Sequence, residues 1–116
     1  MQQQLGVHLI MDAQSQPGTL LTAVGVKKCF DEVCKRFKFH VLNRYCHEFE
    51  PQGLTCVYTL SESHLSIHTW PEHDRCCIDL FHCSDNLEME QLVHMLTEGL
   101  FLETGQNRVQ VFKRGF

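Results

Sequence analysis

The sequence predicts an α+β two-layer sandwich, a mainly antiparallel sheet with two helices on one face. Two observations carry the prediction. Only two segments repeat their apolar residues at helical spacing, while four or more are short, rich in Val, Ile, Tyr, Thr and Phe, and bounded by Pro or Gly. Their order is strand, helix, three or four strands, helix, strand, and two helices laid over one sheet face is the economical way to bury both apolar stripes. With 116 residues, 43% of them hydrophobic, the chain is long enough for one modest core, so a single domain over 1–116 is expected.

Residues Gly6 to Asp12 read as the opening strand, ended by a turn over Gln14 to Gly18. Leu20, Leu21, Val24, Cys29, Phe30, Val33, Cys34 and Phe37 then recur at helical spacing with Lys27, Lys28, Asp31, Glu32, Lys35 and Arg36 between them, an amphipathic helix. His40 to Phe49, Leu54 to Ser61, His64 to Thr69 and Cys76 to Phe81 read as successive strands. Asn86 is the expected N-cap of a second helix through Leu87, Leu92, Met95, Leu96 and Leu100, and Val109 with Val111 marks a closing strand. Cys29, Cys34, Phe30, Phe37 and Phe101 are expected in the core. One sheet face is left uncovered in this arrangement, and a second copy stacked on it would make a homodimer.

Composition excludes several classes. A formal charge of -4, with the ten Lys and Arg scattered, leaves no cationic surface for nucleic acid. No apolar run nears the roughly 20 residues that cross a bilayer, and the N-terminus lacks the pattern of a secretory signal. An odd count of seven cysteines, two of them adjacent at Cys76 and Cys77, argues for reduced thiols and a cytoplasmic setting.

The informative stretch is Ser61 to Cys83, SESHLSIHTWPEHDRCCIDLFHC. Its ESHLSIHTWPE, followed by a hydrophobic strand with an Asp and then Phe-x-Cys, resembles the signature of bacterial and archaeal S-adenosylmethionine decarboxylases. Phe49, Pro51 and Gly53 resemble that family's preceding segment, and Gly6-x-His8-Leu9 its opening strand. The resemblance is continuous over roughly Phe49 to Cys83.

Decarboxylating an α-amino acid leaves a carbanion that no ordinary side chain can delocalise, so an electrophilic carbonyl must be bound or made. The resemblance implies that the chain makes one, a pyruvoyl group from Ser63. Its hydroxyl would attack the carbonyl of Glu62, and elimination from the ester would leave a β chain of 1–62 and an α chain of 63–116. His68 matches the base that removes the Ser63 α-proton, a task suited to imidazole near neutral pH. In a strand, positions 64, 66 and 68 share a face, so periodicity alone puts His68 opposite Ser63. Thr55, where the family has Ser, matches a hydroxyl that assists processing. Cys83 matches the proton donor of turnover, and its replacement by Ala is expected to spare self-cleavage. Glu72 matches the acceptor for ribose hydroxyls, and Phe49 could stack on adenine. The substrate implied is S-adenosylmethionine, decarboxylated for polyamine synthesis.

This chain departs from the family pattern at Cys56, at His73 to Cys77, and at Ser84, where glycine or other small residues are usual. Relatives that decarboxylate arginine or ornithine are therefore an alternative, for which Glu50 and Asp74 could serve a cationic side chain. Two further readings are a non-catalytic homologue and a small zinc module built from His64, His68, His73, Cys76, Cys77, His82 and Cys83. Zinc ranks low because i, i+4 spacing joins ligands on a helix, whereas His64 and His68 lie in a strand, and no CxxC pair is present. His8 and His94 are assigned no role.

Overall fold

The structure, a computed structural model of the chain, describes residues 3–83, 87–105 and 107–116. Strand β1 (Gln4–Gln14) is followed by helix α1 (Ala23–Arg36) and then by strands β2 (Val41–Glu48), β3 (Leu54–Leu60), β4 (Ser63–Trp70) and β5 (Arg75–His82). Helix α2 (Met89–Gly99) and strand β6 (Arg108–Gly115) complete the chain. The strands form one sheet in the order β2-β3-β4-β5-β1-β6, with every neighbouring pair antiparallel. This is the expected α+β sandwich.

Strand alternation decides which side of the sheet is buried. Leu9, Met11 and Ala13 on β1, Cys56, Tyr58 and Leu60 on β3, Leu65 and Ile67 on β4, and Ile78 and Leu80 on β5 all point to one face. Val26, Cys29, Phe30, Val33 and Cys34 of α1, with Leu92 and Leu96 of α2, complete that core. Fully burying such a side chain stabilises the fold by about 1.5–3 kcal/mol. Tyr58 is buried too, and its hydroxyl donates to Asp31 Oδ1 at 2.8 Å across the sheet–helix boundary. Without that acceptor a buried hydroxyl would oppose the fold.

Four expectations are corrected. Helix α1 starts at Ala23, where the Thr22 side chain accepts from the Gly25 N–H at 3.1 Å. Leu20 therefore precedes the helix and Val24 falls on its outer side, leaving them 66% and 80% exposed while Val26 takes the core position. Phe101 is exposed because the chain turns left-handed there (φ 54) after α2 ends, sending Leu100 and Leu102 inward instead. The cysteines are not all reduced, because the β2–β3 register puts Cys46 opposite Cys56 with Cα atoms 4.0 Å apart and the two form a disulfide. The opening strand also runs on to Gln14, through the first residue of the expected turn. Asn86 and Ser84 lie outside the described residues, and Glu88 occupies the cap position of α2.

Candidate active site

The structure divides the candidate residues between two places. The first is the β3–β4 hairpin, where Leu60 pairs with Ser63 across the two-residue turn Ser61–Glu62. The Glu62–Ser63 bond is thus the junction of turn and strand. Cys83, the residue after β5, donates its thiol to the Glu62 carbonyl oxygen at 2.9 Å. The Ser63 Oγ is buried and, among the described residues, has no hydrogen-bond partner. Leaving a buried hydroxyl unpaired costs about 1–3 kcal/mol. The unpaired oxygen lies next to a carbonyl that already accepts a hydrogen bond from a thiol.

The second place is the opposite end of β4. Thr55 on β3 and His68 on β4 are register partners, and Thr55 Oγ1 lies 3.0 Å from His68 Nδ1. They line a cavity of about 350 Å³ with Phe49, Trp70 and Glu72. Phe49 closes β2 at the β2–β3 hairpin, where its N–H donates to the Gly53 carbonyl at 2.9 Å and Gly53 takes φ 105. A glycine suits that backbone because a Cβ at positive φ is strained. Glu72 sits on a single 3-10 turn, Pro71–His73, directly after β4. Phe49 and Trp70 are 50% and 43% exposed, so two aromatic faces and a carboxylate open on one cavity. Such a cavity can take a flat heterocycle by stacking and hydroxyls by hydrogen bonds. Sequence reasoning assigned nothing to Trp70, although its even-numbered place with His68 was a usable signal.

No bulge interrupts β4 between these places, so the alternation read from sequence holds. Ser63 shares the helix-covered face with Leu65 and Ile67, while His64, Ser66, His68 and Trp70 share the other. Five residue steps along the strand also separate Ser63 from His68, roughly 16 Å at ~3.3 Å per step. One chain therefore brings Ser63, Glu62 and Cys83 together, and separately Phe49, Thr55, His68 and Glu72, without joining the two sets.

The uncovered face carries a polar cluster that sequence reasoning missed. Asp79 on β5 accepts from Ser66 and lies 3.0 Å from His8 Nε2 and 3.5 Å from His64 Nε2. Burial raises the Asp79 pKa, but the hydrogen bonds from Ser66 and His8 outweigh it and hold the carboxyl below its ordinary value. His8, His64 and Asp79 are the one group of three with metal-ligand atoms close together among the described residues. Arg114, however, can only donate to His8 Nδ1, at 3.1 Å, so the Nε2 facing Asp79 carries the proton and offers no lone pair. Of the cysteines in the zinc reading, Cys76 is buried on the helix-covered face, away from His64 and His68.

Residues 7–115 match the family described as S-adenosylmethionine decarboxylase. The chain is 35% identical over 115 residues to a protein of Methanococcus maripaludis named S-adenosylmethionine decarboxylase proenzyme, covering 97% of this chain and 91% of that one. A protein of the same name from Parasynechococcus marenigrum is 36% identical over 97 residues, covering 83% and 76%. The fold is also that of the crystal structure of the adenosylmethionine decarboxylase from Aquifex aeolicus, with TM-score 0.84, 24% identity and coverage of 97% and 92%. A family match across nearly the whole length, with relatives above 30% identity over most of both chains, makes this chain a member of the S-adenosylmethionine decarboxylase family.

Proposed function

We propose that the chain cleaves itself between Glu62 and Ser63, converts Ser63 to a pyruvoyl group, and decarboxylates S-adenosylmethionine to an aminopropyl donor for polyamine synthesis. The observation that carries this reading is the Cys83 thiol on the Glu62 carbonyl, since that oxygen takes up negative charge when Ser63 Oγ attacks. In the first step the Oγ–C bond forms and the C–N bond breaks, giving an ester on Ser63 and a free α-amine. His68 then takes the Ser63 α-proton, and the Glu62 carboxylate leaves with the oxygen. The remaining enamine tautomerises, and water releases ammonia and the pyruvoyl chain end. Cys83 therefore has a task in processing as well as in turnover.

Once formed, the pyruvoyl carbonyl supplies the electron sink that decarboxylation requires. The chain's own residues supply the rest. Phe49 and Glu72 hold the adenine ring and the ribose hydroxyls in the cavity, and Cys83 returns a proton to the substrate Cα.

The roughly 16 Å between Ser63 and His68 leads to a homodimer with shared sites. In an isologous pair each copy offers both of its ends to the other, so one contact forms two equivalent sites. Each joins Ser63, Glu62 and Cys83 of one copy to Phe49, Thr55, His68 and Glu72 of the second. The face without helices supports the pairing, since Ile10, Val57 and Phe81 are half-buried there around the Asp79 cluster.

The test is complementation. Ser63→Ala and His68→Ala chains expressed separately stay whole, but expressed together the His68→Ala chain is cut, because mixed dimers hold one intact site. Mass spectrometry identifies the cut chain by its substitution and its blocked N-terminus. An uncut His68→Ala chain in isolated mixed dimers would overturn the shared site, and an uncut unsubstituted chain would overturn self-cleavage itself.

A further inference from the structure

We propose that His82 is the base that deprotonates Ser63 Oγ in the first step of self-cleavage, leaving His68 for the second. The inference rests on the self-cleavage reading above and extends it, since that reading names no group to receive the hydroxyl proton.

Continuing the β4–β5 register one step past its last pair brings His82 beside Ser63, although no hydrogen bond joins the two side chains in the structure. His64 pairs with Phe81, so the next position along the same antiparallel pair sets Ser63 against His82. One step further, Glu62 meets Cys83, as the thiol–carbonyl hydrogen bond independently requires. Alternation puts the two side chains on one face, because Ile78, Leu80 and His82 share a side of β5 and Ser63, Leu65 and Ile67 the same side of β4. Side chains opposite one another on one face have Cβ atoms about 4.5–5.5 Å apart, within reach of an imidazole and a serine hydroxyl.

The ring is also held in place and kept neutral. It stacks on Phe39, with centroids 4.5 Å apart and planes 30° from parallel. Burial lowers the His82 pKa from its ordinary 6.5, and the charge of Glu62 only partly offsets this. Among the described residues, Glu62 is the charged group whose field reaches the ring. A neutral imidazole accepts the Oγ proton as the Oγ–C bond forms. The resulting imidazolium returns a proton to the Ser63 nitrogen as the C–N bond breaks, so the step needs no other reactant. His68 cannot take this part from within the chain, being on the opposite face and at the far end of β4.

Hydroxylamine separates the two steps, because it cuts an ester and leaves a Glu62 hydroxamate detectable by mass. In a His68→Ala chain, elimination is blocked and the trapped fragment reports the first step alone. Adding His82→Phe, which keeps a ring on Phe39, or His82→Gln is expected to slow trapping by roughly 100-fold, the usual contribution of a positioned base. In the His68→Ala chain the trapping rate falls on acidification through a value below 6.5, and with His82→Gln that inflection disappears. Equal trapping rates with either His82 variant folded, as thermal melting reports, would overturn the role of His82. No trapped fragment from the His68→Ala chain itself would instead overturn the ester route on which it rests.

Discussion

At the scale of single residues, the roles of the reacting groups follow from their chemistry, but their tasks follow from position. The thiol of Cys83 was expected to serve turnover alone, and its contact with the Glu62 carbonyl gives it, in the proposed mechanism, a second task as donor to the oxyanion of self-cleavage. Removing one donor to a developing oxyanion costs roughly 10²–10³-fold, and a thiol donates more weakly than an amide. Cys83→Ala is therefore expected to slow self-cleavage about 10- to 100-fold and then to leave the cleaved enzyme poor at protonating its product. A time course on a denaturing gel gives the first effect; an unchanged cleavage rate would limit Cys83 to turnover. A contiguous signature nominates Ser63, His68 and Cys83 in the sequence, and the structure brings Cys83, but not His68 of the same chain, to the Glu62–Ser63 bond. Trp70 lies inside the same signature and was passed over, and His82 was named only in the zinc reading, because nothing in residue type alone says which face of a strand meets which neighbour.

At the scale of elements, helical and strand periodicities were read correctly where one face alone is buried. The α1 positions Cys29, Phe30, Val33 and Cys34 are buried as expected, whereas Leu20 precedes the helix and Val24 falls on its outer side, so neither is buried. The two helices meet at a point the sequence did not mark. A Cβ on Gly99 would lie 2.6 Å from Cys29 Sγ and 3.1 Å from its Cβ, so α1 and α2 approach closely only because α2 ends in glycine. Gly99→Ala forces the helices apart and is expected to destabilise the chain by about 1–3 kcal/mol despite the better helix propensity of alanine. Urea titration measures this, and a midpoint at or above that of the unsubstituted chain would show that the Cys29 side chain yields without cost.

For the whole molecule, the sheet determines what a single copy can accomplish. Its helix-covered face is a closed core, and its other face carries Asp79 among His8, His64 and Ser66. The folded-state pKa of Asp79 lies below 3.8, so the ionised carboxylate is bound more favourably in the fold than in the unfolded chain. Its stabilisation is complete above pH 3.8 and is lost as pH falls through the lower folded value. Asp79→Asn removes that contribution, so its urea midpoint should decline less steeply than that of the unsubstituted chain below pH 3.8. Parallel curves for the two proteins would mean that Asp79 is not responsible for acid sensitivity.

By itself the sequence determined the signature that nominates the candidate site residues, the two helical stripes and the alternation that sets His68 opposite Ser63, all properties of residue type and short spacing. Only the tertiary structure decided the register. It put Cys46 against Cys56, Thr55 against His68 and Cys83 on the Glu62 carbonyl, because antiparallel pairing joins residues that no local pattern relates. It also decided that one chain holds the two halves of the candidate site at opposite ends of β4. A strand extends by ~3.3 Å per residue whatever its sequence, and five such steps separate Ser63 from His68.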